Sequence, residues 1–299
     1  MKAEQGSRPV SGVARTVRHG AVRLATEAFG DPEHPPVLLI MGAMASMLWW
    51  PDELCRALAG SGRFVVRYDN RDVGQSTTGP SGEPGYTIDD MAEDAVAVLD
   101  GYGLPRAHLV GMSLGGMIAQ IVALRHPIRV ASVTAIASAR VDEDDPDLPP
   151  IDPRLLEHFA GASGLDWSDR AAVVAFQVES LRISAGPAAA FDAERARRLA
   201  EREYDRAIDP QSAMNHAMLS GGEGCRGRLG AIRAPFLVIH GRHDPILSFA
   251  HALRLAEAVP GSRLVALEEA GHELNERDWD RITAEIHAHS RAPAGAPAA

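Results

Sequence analysis

Residues 37–41 form an uninterrupted apolar run, and short, predominantly apolar stretches recur at 63–68, 107–110, 130–137, 236–240 and 263–267. Runs of this length without polar alternation fit strands buried on both faces. Between the first of them lie stretches whose apolar residues repeat at helical spacing: 52–59, 88–102 and 117–124. Strands alternating with helices predict a parallel sheet covered on both sides. Two further strands are expected at 14–18 and 22–28, ahead of a turn at Asp31-Pro32-Glu33-His34-Pro35-Pro36. The expected fold class is therefore α/β, with a mostly parallel sheet of about eight strands and a closing helix near 278–289.

The alternation stops at residues 141–150, an acidic, proline-rich connector. It lacks the glycine and terminal glutamate of a calcium-binding loop and reads as a solvated linker. From there to about residue 228 only helical patterns occur, at 154–159, 171–184, 188–206 and 210–219. This predicts a sheet core of residues 1–140 and 229–290, a helical cap of residues 141–228, and a low-complexity, disordered tail at 291–299.

Composition narrows the function. The 299 residues carry a formal net charge of −10, which leaves no basic footprint for nucleic acid or an anionic lipid surface. A small neutral molecule is the expected partner. The first nine residues have no apolar signal core, and the apolar stretch 37–50 is too short to span a bilayer, so a cytoplasmic protein is expected. Cys55 and Cys225 have neither metal-site nor disulfide spacing and read as free thiols.

The chemistry concentrates in Gly111-Met112-Ser113-Leu114-Gly115-Gly116, a serine between glycines where a buried strand is expected to turn into a helix. That context presents a strained serine hydroxyl above a sheet edge. A serine needs a base to take its proton, and the base needs an acid to fix its tautomer. In a parallel sheet, residues just after different strands converge at one edge. Asp244, in the loop after 236–240, and His272, in the loop after 263–267, meet that condition in the order Ser, Asp, His.

Rivals exist for each role. His240 and His243 compete as bases and, with Asp244, resemble a metal cluster, but no third ligand is apparent and no metal is expected. His108 and His126 read as polar residues near element ends, and Glu268 and Glu269 as solvated loop carboxylates. Two backbone N–H groups suit a developing oxyanion: Leu114, directly after the serine, and Ala43 in Ile40-Met41-Gly42-Ala43-Met44. Met41, Met44, Met47, Trp49 and Trp50 offer an apolar wall nearby, from which Met44, Trp49 and Trp50 are candidate pocket residues.

At this point the chain resembles the α/β-hydrolase superfamily over nearly its full length. Residues Arg67-Tyr68-Asp69-Asn70-Arg71-Asp72-Val73-Gly74-Gln75-Ser76 are similar to its D-x-R-G-x-G-x-S loop, with Asp72 in place of the usual glycine. The loop, the Met41-Gly42 pair and the helix containing Glu93 to Gly101 look like the aclacinomycin methylesterase group. The resemblance implies Ser113, Asp244 and His272 as a triad, with Ala43 and Leu114 as oxyanion donors. It differs from that group in having Ala43 where a second glycine would stand, and in showing no matching motif in the cap. The resulting expectation is a carboxylic ester hydrolase acting through an acyl-enzyme on a small hydrophobic ester, without a cofactor. Lactone, C–C bond hydrolysis and cofactor-free perhydrolysis use similar triads, and a non-catalytic ligand-binding protein of the same fold is the alternative of another class.

Overall fold

The computed structural model describes residues 12–142, 147–187 and 191–291. Most of the tail, the middle of the acidic connector and residues 188–190 of a predicted helix lie outside the described residues.

The chain opens with the hairpin β1 (Val13–His19) and β2 (Val22–Phe29), followed by β3 (Pro36–Ile40). Then come α1 (Asp52–Gly60), β4 (Phe64–Tyr68), α2 (Ile88–Gly101), β5 (Ala107–Met112), α3 (Leu114–Arg125) and β6 (Val130–Ile136). A helical segment follows, with α4 (Pro153–Ala160), α5 (Arg170–Ser184) and α6 (Ala193–Arg206). The sheet resumes with β7 (Phe236–Gly241), α7 (Phe249–Ala258), β8 (Arg263–Leu267) and α8 (Trp279–His289).

The strands form one eight-stranded sheet in the order β1-β2-β4-β3-β5-β6-β7-β8. The first two strands pair antiparallel, and β2 also meets β4 antiparallel; the remaining neighbours are parallel. Alternation of side chains along β3 explains its unbroken apolar run. Leu38 and Ile40 join one core layer with α2 and α3, while Val37 and Leu39 join the other with α1 and α8. Both faces are covered, and Val37 to Ile40 are all buried.

Local signals set several boundaries. Thr87 and Asp90 form a reciprocal capping box at the start of α2. Asp192 accepts the Arg195 N–H and starts α6 there, so the described Phe191 and Asp192 are not helical although the pattern predicted a helix from 188. The predicted helix at 210–219 is instead a 3₁₀ helix, Gln211–Met218, which buries Ser212, Asn215 and His216. The amphipathic helix α7 was not anticipated. Among the described residues, no helix is long and apolar enough to cross a membrane.

Candidate active site

β5 delivers Ser113 to the C-terminal edge of the sheet. The serine sits at φ 51°, ψ −120°, directly before the first turn of α3. This left-handed backbone is costly for a residue with a Cβ, and the tight packing around it holds it in place. A Cβ on Gly111 would stand 2.1 Å from the Gly115 carbonyl oxygen, and one on Gly115 would stand 2.1 Å from that of Ile40. Only glycines allow α3 to start this close to β5 and β3. The flanking glycines of the motif are thus explained by contact.

Asp244 follows β7, and His272 lies beyond β8. Asp244 is buried, and its Oδ1 accepts the N–H groups of Ile246 and Leu247 at 2.9 and 2.8 Å. Its Oδ2 receives Nδ1–H of His272 at 2.7 Å. His240, on β7, places Nε2 3.2 Å from the same oxygen and 2.7 Å from the Leu247 carbonyl. Burial alone pushes the Asp244 carboxyl upward, but attraction to His272 and the hydrogen bonds from His240 and His272 hold it well below the usual carboxylate range. With Nδ1 donating to Asp244, Nε2 of His272 is left to accept a proton. The Ser113 hydroxyl makes no hydrogen bond among the described residues.

The rival residues separate on inspection. His243 is exposed, whereas His240 is buried behind Asp244 and becomes its second partner. Glu268 pairs with Arg242 at the surface at 2.6 Å. His108 bonds Ser132 at 2.9 Å and His126 bonds Glu93 at 2.9 Å, both away from this edge.

The loop after β3 runs beside the elbow, since a Cβ on Gly42 would lie 3.1 Å from the Ser113 Cβ. Neither the Ala43 nor the Leu114 N–H has a hydrogen-bond partner among the described residues. The rest of that loop is tied down. Asn70 donates to the Met41 carbonyl at 3.0 Å, and Asp69 accepts the Met47 N–H at 2.9 Å. Two groups that the sequence reading missed come from the helical segment: Glu203 accepts Ser46 N–H at 3.0 Å and Ser46 Oγ–H at 2.5 Å, and His216 accepts Met44 N–H at 2.9 Å. One signal for Glu203 was legible, because Ala196, Ala200 and Glu203 fall on one buried helical face.

Asp72, where the resembling loop has glycine, is at φ 65°. Its carboxylate accepts Gly79 N–H at 2.6 Å, Tyr86 O–H at 2.7 Å and an Asn215 amide hydrogen at 2.9 Å. Those bonds hold a side chain in a backbone conformation that ordinarily favours glycine.

A cavity of about 540 Å³ opens between the sheet edge and the helical segment, lined by Trp49, Met112, Leu181, Leu199, His272 and Trp279 among others. Its lining is mixed, since these side chains share it with charged ones such as Asp192, Arg195, Arg198, Arg202 and Glu273, and its size suits a small organic molecule. Of the predicted pocket residues, Trp49 lines it. Trp50 does not: its ring is completely buried in the core layer with α1, and the adjoining chain is fixed by Arg67 bonding the Trp50 carbonyl. Met44 also falls outside the lining, at the His216 contact.

Comparison with known proteins agrees with this architecture. The alpha/beta hydrolase fold family model matches residues 35–278. Rhodomycin D methylesterase DnrP of Streptomyces peucetius is 34% identical over 293 residues, covering 93% of this chain and 98% of that protein. Rhodomycin D methylesterase DauP of Streptomyces sp. strain C5 is 34% identical over 296 residues, with the same coverage of 93% and 98%. The solved 2-hydroxy-6-oxo-6-phenylhexa-2,4-dienoate hydrolase from Rhodococcus sp. strain RHA1 superposes with a TM-score of 0.76 at 24% identity, covering 95% of this chain and 100% of that one. A mostly parallel sheet with a strained serine at its elbow, and a family match from residue 35 to 278, make this chain a member of the alpha/beta hydrolase fold family.

Proposed function

We propose that the chain is a serine hydrolase cleaving a carboxylic ester of a small hydrophobic molecule through an acyl-enzyme. His272 takes the Ser113 proton, Ser113 attacks the carbonyl carbon, and the Ala43 and Leu114 N–H groups hold the oxyanion. The alcohol leaves with the proton from His272, and water then attacks the acyl-enzyme by the same route. Asp244 keeps the His272 proton on Nδ1 and offsets the charge on the ring. The scheme uses only groups of this chain.

The observation that carries the reading is the 2.7 Å bond between buried Asp244 and His272 at the edge where the Ser113 elbow emerges. The relatives named rhodomycin D methylesterase support a methyl ester as the scissile group. The helical segment between β6 and β7 serves in this reading as the cap that selects substrate. Purified protein is expected to hydrolyse p-nitrophenyl butyrate and to take up a fluorophosphonate at Ser113, identified by peptide mass spectrometry. Ser113→Ala should lose both properties, and undiminished hydrolysis by that variant refutes the assignment.

A further inference from the structure

The free N–H of Ala43 lies between two anchors of different origin. On its N-terminal side, the core residue Asn70 holds the Met41 carbonyl at 3.0 Å. On its C-terminal side, the helical segment holds the Met44 N–H through His216 at 2.9 Å, across 172 residues of sequence. Met44 itself sits at φ 61°. A non-glycine residue in that conformation is strained, so the loop relaxes by peptide rotation when the anchor is lost.

The two partners of His216 fix its tautomer. Met44 N–H can only donate, so Nδ1 accepts; the Arg71 carbonyl, 2.7 Å from Nε2, can only accept, so Nε2 carries the proton. The ring is therefore neutral. Burial favours this state by lowering its proton affinity, against the Arg71 carbonyl and the charge of Asp72, which act the other way. His216 reaches this place because Gln211–Met218 is wound as a 3₁₀ helix, an unusually long run for that geometry. The tighter winding buries Ser212, Asn215 and His216 together. Ser212 Oγ–H donates to the Asp72 carbonyl at 2.8 Å, and Asn215 bonds the Asp72 side chain.

We propose that His216 is a positioning residue for the ester hydrolase reading given above: it fixes the Ala43–Met44 peptide, and with it the direction of the Ala43 N–H toward the developing oxyanion. The cap then contributes to the rate as well as to substrate selection. Removing an oxyanion donor outright lowers kcat by about 10² to 10³-fold. Tilting one lowers it less, by about 10 to 100-fold, with KM changed by no more than about twofold because a hole aimed at the oxyanion acts in the transition state.

The test exploits the two ring nitrogens. Asn at 216 keeps an acceptor near the Nδ1 position, whereas Gln keeps a donor near Nε2. His216→Asn is expected to retain kcat for p-nitrophenyl butyrate within about threefold, while His216→Gln and His216→Ala lose about 10 to 100-fold. Asp169→Ala, which removes the N-cap of α5 and leaves residues 211–218 untouched, should lower the melting temperature but leave kcat unchanged. Equal effects of the Asn and Gln variants overturn the proposal, as does a loss confined to KM or a kcat loss in Asp169→Ala matching that of His216→Ala. If His216→Ala does not fold, the Asn against Gln comparison decides. Ser113→Ala separates the two readings: activity in that variant removes the hydrolase assignment, whereas its inactivity beside fully active His216 variants removes only the positioning role.

Discussion

Replacing Asp244 by asparagine separates the electrostatic role of this residue from its structural one. Oδ1 accepts two backbone N–H groups, which an asparagine oxygen reproduces. Oδ2 accepts from His272 at 2.7 Å and from His240 at 3.2 Å, and an amide nitrogen there can only donate. His272 must then accept at Nδ1 and carry its proton on Nε2, where it cannot take one from Ser113. The wrong tautomer has been worth about 10⁴ in kcat in the serine protease template, or about 5.5 kcal/mol of transition-state stabilisation. Nε2–H of His240 keeps the Leu247 carbonyl at 2.7 Å, so the loss of stability is confined to the charge-assisted bonds of the carboxylate, about 1.5 to 3 kcal/mol. Steady-state hydrolysis of p-nitrophenyl butyrate, with urea unfolding in parallel, measures the two terms. The expected result is a folded protein about 10³ to 10⁴ times slower in kcat with KM little changed. Asp244→Asn activity within tenfold of the parent, beside an inactive Ser113→Ala, refutes the tautomer argument.

Two further substitutions test how the supporting loops are held. Asp72→Gly relieves the φ 65° strain, worth about 1 to 2 kcal/mol, but strands the Tyr86 hydroxyl, the Asn215 amide and the Gly79 N–H, at about 1 to 3 kcal/mol for each group that water does not reach. The lost bonds outweigh the strain, so urea unfolding should show a net destabilisation; a more stable glycine variant contradicts this balance. Glu203 is buried, and burial, reinforced by Asp69 and opposed by the Ser46 hydrogen bonds and Arg206, raises its pKa from the ordinary 4.5 to about 7. Because the folded state binds the proton more tightly, stability falls as pH rises from about 4.5 through 7, by about 3 kcal/mol at 1.36 kcal/mol per tenfold change in proton affinity. Glu203→Gln should therefore gain on the parent by about that amount between pH 5 and 8 in paired unfolding curves, and parallel curves exclude the titration.

The sequence by itself determined the sheet. All eight strands lie within a few residues of their predicted positions; for the inner strands β3 to β7, burial on both faces leaves little choice of residue, whereas β1 is largely exposed. It also determined the elbow, since Gly111 and Gly115 answer to backbone contacts a few residues away or on the adjacent strand. The strand-end rule selected Asp244 and His272, which the fold then joined by a hydrogen bond. Local pattern was less reliable where tertiary contacts override it. Residues 211–218 read as an ordinary helix but wind tighter, with Ser212, Asn215 and His216 bonded to distant loops. Trp50 read as pocket wall but packs into the core, while α7 escaped notice despite its amphipathic spacing.

Only the tertiary structure decided what surrounds the serine. The bonds from Glu203 to Ser46 and from His216 to Met44 span 157 and 172 residues. No periodicity or motif encodes such partners, because each depends on how the helical segment docks against the sheet edge. The choice of which histidine backs Asp244 was of the same kind: β7 buries His240 and leaves His243 in solvent. Short-range sterics and burial wrote the scaffold into the sequence, whereas the loop geometry at its edge arises from contacts that exist only after folding.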